Sequence, residues 1–319
     1  MTITELQQRY AAHPNTAVME RLLKDVSVQT IFCGGLCASS ASLFSSVLVK
    51  QDVCPFVFVL GDLEEAGYFY HDLTQILGTE KVRQVLFFPS SFRRSIKYGQ
   101  KDAANEILRT EVLSRLQKGE EGLCIVTYPD ALAEKVVSRK ELSDKTLKLN
   151  VGEKLDTTFI TDVLHSYGFE YVDYVYEPGQ YAVRGSIIDV FSFASEYPYR
   201  IDFFGDEVES IRTFEVESQL SREKKAGVAI VPDLAVTGEV TTSFLDFIPK
   251  ETILAMRDFL WLRERIQVVH DEALTPQAIA VQEAEENGGI TLEGKLIDGS
   301  EFTVRALDFR RMEFGNKPT

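Results

Sequence analysis

The sequence predicts an α/β protein: a parallel-sheet, P-loop-like domain interrupted by a small α+β domain whose sheet is antiparallel. Three observations predict it. Short apolar runs alternate with helical periodicity through the first third of the chain. Between Tyr176 and Phe214 the residues read almost wholly as strands and turns. Beyond about residue 223 the strand and helix patterns alternate again.

The elements follow in order. Residues 28–33 form an apolar run, Gly34-Gly35 turns the chain, and the small residues of 39–50 read as a helix. Residues 56–60 are the next strand. Leu63, Ala66, Tyr70, Leu73 and Leu77 then recur at helical spacing. Strands at 85–88 and 123–127 flank a helical stretch at 103–118, an order that implies a parallel sheet covered on both faces. Composition shifts near Ser138: residues 139–151 are charged, and one helix is expected at 157–167. After a charged stretch at 221–225 come a strand at 228–231, a helix at 243–247, a strand at 252–256 and a helix at 259–272. The expected division is 1–137, the first part of the α/β domain; 138–222, the small α+β domain; and 223–319, a return to α/β character that can complete the first domain's sheet from the other side.

The small domain is the most legible part. Strict alternation from Tyr199 to Phe204 puts Tyr199, Ile201 and Phe203 on one sheet face and Arg200, Asp202 and Phe204 on the other. An aromatic ring among charges on that second face marks a contact surface rather than a core wall. Gly205-Asp206 turns the chain so that residues 207–214 return as a hairpin partner. Upstream, Pro178-Gly179 is a turn, and Arg184 precedes Gly185, which within a strand marks a bulge or a close backbone approach. Should the Arg184 and Arg200 strands lie side by side, two planar donor forks surround one apolar anchor, Phe204. The competing reading is plain surface pairing of both arginines with Asp189, Asp202 or Glu209, which contributes little.

Bulk properties narrow the function. At 319 residues the chain exceeds one comfortable core. A formal charge of −15 argues against a free-standing nucleic-acid binder and points to protein partners. A small basic group, Arg93, Arg94, Lys97 and Lys101, leaves weak DNA binding as a third reading. No segment is apolar for the length of a bilayer and the N-terminus lacks signal-peptide order, so no membrane partner and a cytoplasmic location are expected. Cys33, Cys37, Cys54 and Cys124 lie in or beside apolar runs; the CGGLC spacing suits neither redox nor zinc chemistry, so structural thiols and no metal are expected.

The loop Gly34-Gly35-Leu36-Cys37-Ala38-Ser39-Ser40 occupies the place of a phosphate loop but lacks the lysine that would reach terminal phosphates. No cofactor is therefore expected. Asp271-Glu272 mimics an ATPase acidic box, yet its surroundings have helical charge spacing. His13, His71, His165 and His270 are scattered, so no catalytic residue is assigned.

Two stretches, EPGQYAVRGSIIDVF (177–191) and SEYPYRIDFFGDEVESIRTF (195–214), resemble the N-terminal UvrB-homology module of the bacterial transcription-repair coupling factors, the Mfd family, and less closely UvrB itself. The resemblance implies a degenerate UvrB-like α/β domain, its nucleotide site decayed, with a UvrA-binding domain inserted into it. It implies that Arg184, Arg200 and Phe204 contact UvrA, the repair protein recruited when RNA polymerase stalls. It further implies that the polymerase-binding domain and an ATP- and magnesium-dependent translocase acting on double-stranded DNA lie beyond Thr319, so that the chain is a non-enzymatic N-terminal part. A C-terminal domain of the whole protein is implied to mask the UvrA-binding face. After Phe88 the chain has one tyrosine, Tyr98, where UvrB carries a tyrosine-rich DNA-gripping hairpin. That departure favours the coupling factors; the alternative is a nucleotide-dependent UvrB-like repair ATPase.

Overall fold

The computed structural model describes residues 2–36, 38–51, 54–81, 84–91, 103–234, 239–275, 278 and 292–315. Cys37, the Arg93–Lys101 group, Tyr98 and most of the acidic stretch before Gly299 lie outside them. The fold is mixed α/β, in two units. One comprises Met1–Asn105, Arg115–Lys135 and Thr242–Thr319, the other Glu106–Ser114 and Val136–Thr241.

The first unit is built on a six-stranded sheet in the order Thr30–Phe32, Arg310–Glu313, Ile253–Met256, Phe56–Val59, Cys124–Thr127, Val85–Phe87. All five pairings are parallel. The central strands are buried at every position, as a sheet covered on both faces requires. The closing segment does complete this sheet, but from within: its two strands enter between the first and second strands of the N-terminal segment. The expected helix at 243–247 is only a 3-10 turn, Phe244–Asp246. Arg310 ties the sheet to the N-terminal helix Pro14–Lys24, donating from Nη2, Nη1 and Nε to the carbonyls of Leu22, Leu23 and Val28 at 2.7–2.8 Å.

In the second unit a meander of six strands runs in chain order: β1 (Glu170–Tyr171), β2 (Gln180–Arg184), β3 (Ile187–Val190), β4 (Tyr199–Phe204), β5 (Glu207–Phe214) and β6 (Ser221–Lys225). The β1–β2 pair is parallel and the rest antiparallel. One face packs Ile188, Val190, Ile201, Phe203 and Ile211 against helix Thr157–Ser166 through Ile160 and Leu164. Residues 221–225, read from the sequence only as a charged stretch, are the edge strand β6. Gly227–Ile230 pairs with Leu147–Asn150 and buries Val228 and Ile230 in the same core, so this unit reaches beyond the expected 138–222. The charges of 139–151 concealed a short helix, Arg139–Asp144, and that pairing strand.

Turn chemistry sets the register. Gly185 does not mark a bulge: with Ser186 it forms the two-residue turn between β2 and β3, at φ +61°. The bulge lies instead in β5, where the pairing passes from Asp202 with Ser210 to Phe203 with Val208 and leaves Glu209 without an opposite residue. At Gly179, φ +88°, a Cβ would meet the Phe193 ring at 2.8 Å, which explains the glycine of the Pro-Gly turn.

Candidate functional site

The face of the meander turned away from the main core carries all three residues singled out by the alternation. Ala182 and Asp189 are register partners, as are Asp189 and Arg200, so positions 182, 189 and 200 form one row across β2, β3 and β4. Arg184 stands two residues beyond Ala182, and Asp202 and Phe204 follow Arg200 at the same period of two. Tyr199, Ile201 and Phe203 point into the core, as expected. The Arg184 and Arg200 strands are not neighbours: β3 lies between them and supplies Asp189.

Asp189 organises the site. Its side chain is 1% exposed and accepts from both arginines. Arg200 approaches it as a bidentate fork, Nε to Oδ1 at 2.7 Å and Nη2 to Oδ2 at 2.8 Å. Arg184 donates from Nη2 to the same Oδ2. Arg200 also donates to the Gln219 carbonyl at 3.2 Å and Oε1 at 3.3 Å, and its guanidinium lies 4.4 Å from the centre of the Phe214 ring. The bond to Asp189 is the foremost cause holding its pKa above the ordinary arginine value. Only 14% of the Arg200 side chain is exposed.

Arg184 is freer. Its side chain is 35% exposed, its second contact is a 3.4 Å bond to the Asp173 carbonyl, and the Tyr174 ring lies 5.1 Å away. Phe204, at the end of β4, is 80% exposed. The geometry is an exposed ring, an accessible guanidinium on the same sheet face two strands away, and a second guanidinium on that face fixed by four hydrogen bonds. Ion pairing with Asp189 therefore holds for both arginines without exhausting Arg184. Asp202 pairs with Arg212 instead, at 3.1 Å.

Sequence reading passed over Arg212, Gln219, Tyr174 and Phe214. Arg212 was within its reach: the hairpin puts it opposite Arg200. Gln219, held at φ +57°, contacts Arg200 through a loop whose path no local pattern specifies.

The other candidate loop lies in the first unit. Gly34 and Gly35 turn the chain after strand Thr30–Phe32, and helix Ser40–Lys50 follows, without a side-chain hydrogen bond capping its N-terminus. The neighbouring cavity, about 420 Å³, is lined by Asp62, Glu64, Glu65 and Asp72, with Arg257 paired to Glu65. Four carboxylates against one arginine disfavour a polyphosphate in that cavity, whereas Gly34 itself lines a second cavity of about 520 Å³ together with Arg9 and His13. Asp271 and Glu272 lie in the last turn of helix Phe259–Ala273, where Asp271 accepts from Gln267 at 2.8 Å. Among the described residues no group of histidine, cysteine and carboxylate side chains is placed to hold a metal ion. No helix among them is long and apolar enough to cross a membrane.

Comparison with known proteins identifies the class first. Residues 147–235 match the family model described as the UvrB interaction domain, and β1–β6 lie within that span. Over most of its length the chain is similar to transcription-repair-coupling factors: it is 28% identical to that of Escherichia coli K12 over 228 residues, 71% of this chain and 18% of that protein. The Bacillus subtilis 168 protein is 31% identical over 62% of this chain and 16% of its own length. The Myxococcus xanthus protein is 30% identical over 72% and 19%. The matched region thus spans less than a fifth of the length of these curated relatives.

Proposed function

We propose that this chain is a non-catalytic recruitment module that docks UvrA, and so brings nucleotide excision repair to a stalled RNA polymerase. The observation that carries the reading is the display of Phe204, 80% exposed, on the same sheet face as Arg184 and Arg200 within a UvrB interaction domain. Large exposed rings beside arginines are the residue types that dominate binding energy where proteins meet. Phe204 fills an apolar depression on the partner, and Arg184 donates charge-assisted hydrogen bonds to a carboxylate there. Arg200 holds Asp189, and through it the angle of Arg184. The missing lysine in the loop after Gly34-Gly35 supports a module without nucleotide of its own, and equilibrium dialysis with ATP tests that part. Titration of the chain with UvrA tests the whole: wild-type binding that survives both Phe204→Ala and Arg184→Ala unchanged overturns it.

A further inference from the structure

Arg212 is a third guanidinium on the face that carries Phe204, and the least tethered. Arg200 is held by four hydrogen bonds and Arg184 by two, whereas Arg212 has a single ion pair, from Nη2 to Asp202 Oδ2 at 3.1 Å. The same Oδ2 also accepts from Ser210 Oγ at 2.8 Å, so Asp202 keeps a partner if Arg212 leaves. The Arg212 Nε is buried and has no acceptor, a donor left unsatisfied in the free protein. Its side chain is 31% exposed, enough to rotate outward.

The register adds a second, independent observation. Arg200, Arg212 and Lys224 are consecutive cross-strand partners on β4, β5 and β6. Like charges set directly opposite one another destabilise a sheet. These three cations, with Asp189 the one carboxylate in their row, suit a surface that an acidic partner neutralises.

We propose that Arg212 is a partner-contacting residue held in reserve by Asp202, and that the docked protein presents carboxylates to Arg212 as well as to Arg184. The inference rests on the docking reading above. On binding, Arg212 exchanges one bond to Asp202 for a fork on the partner, and its Nε gains the acceptor it lacks. Arg200, by contrast, would have to break four bonds to turn outward.

The test is a calorimetric titration of the whole chain and its variants with UvrA. Arg212→Ala is expected to weaken binding about tenfold or more, and Arg212→Lys less, because a lysine keeps the charge but loses the fork. Asp202→Asn is expected to tighten binding a few-fold, since the internal competitor loses its charge. A purely structural Arg212–Asp202 pair predicts the opposite sign: Asp202→Asn would then weaken binding as Arg212→Ala does, and that result overturns the proposal. So does Arg212→Ala binding within about twofold of the parent while Phe204→Ala is impaired. If Phe204→Ala and Arg184→Ala bind normally as well, the docking reading falls and takes this one with it. Should Arg212→Ala fail to fold, as judged by its urea midpoint, the sign of the Asp202→Asn effect decides between the two.

Discussion

Arg200 grips Asp189 with a two-pronged fork, and Asp189 in turn holds Arg184, on a strand that Arg200's own strand does not touch. The carboxylate is 1% exposed, so removing it strands two cations. Asp189→Ala is expected to destabilise the protein by about 3–5 kcal/mol, read from urea denaturation. A loss below about 1 kcal/mol would mean that water already screens the pair.

Phe204 makes the opposite case. Four-fifths of it faces solvent, so Phe204→Ala should leave the unfolding free energy in urea within about 0.5 kcal/mol of the parent. The same change should cost about 2 kcal/mol or more of UvrA binding. A variant that is destabilised but still binds would place the ring in the fold rather than at an interface.

Arg310 is expected to matter to stability alone. Its fork satisfies carbonyls of Leu22, Leu23 and Val28 near the end of the helix Pro14–Lys24. Arg310→Met keeps the aliphatic stem and loses the donors, at a cost of about 2–4 kcal/mol. Hydrogen exchange should then show residues 14–24 opening first; uniform protection across that helix would refute the tether.

The thiols make a pH-dependent prediction. Burial pushes Cys33 up to about 11 and Cys54 up to about 12 from an ordinary 9.0, and raises Cys124 further. A folded-state value above the unfolded one means that the stabilisation is complete below pH 9 and is lost as pH rises through the folded values. The urea midpoint should therefore fall between pH 9 and 11, and at pH 8 iodoacetamide should label Cys33 and Cys124 only as the chain unfolds. Fast labelling of Cys124 in native buffer would contradict its burial.

The face of β4 was legible because it depends on one strand: a period of two assigns Arg200, Asp202 and Phe204 to one side whatever the strand pairs with. The hairpin turn at Gly205-Asp206 was legible for the same local reason. Gly185 was misread because a glycine at positive φ serves a bulge and a two-residue turn alike, and only the returning strand separates the two. The strand at 227–230 was assigned to the closing segment because its apolar run carries no label for its partner, Leu147–Asn150, more than seventy residues earlier.

By itself the sequence determined the class of fold, the parallel and antiparallel parts, and the three side chains that share a sheet face, since these follow from periodicity and turn chemistry within short windows. The tertiary structure alone decided that Asp189 serves both arginines, that Arg200 is held while Arg212 is loosely paired, and that two late strands enter the middle of the first sheet. Those are matters of which strands become neighbours and in what register. They are settled by burial of one core face against distant residues, a free energy summed over the whole fold and written in no single segment.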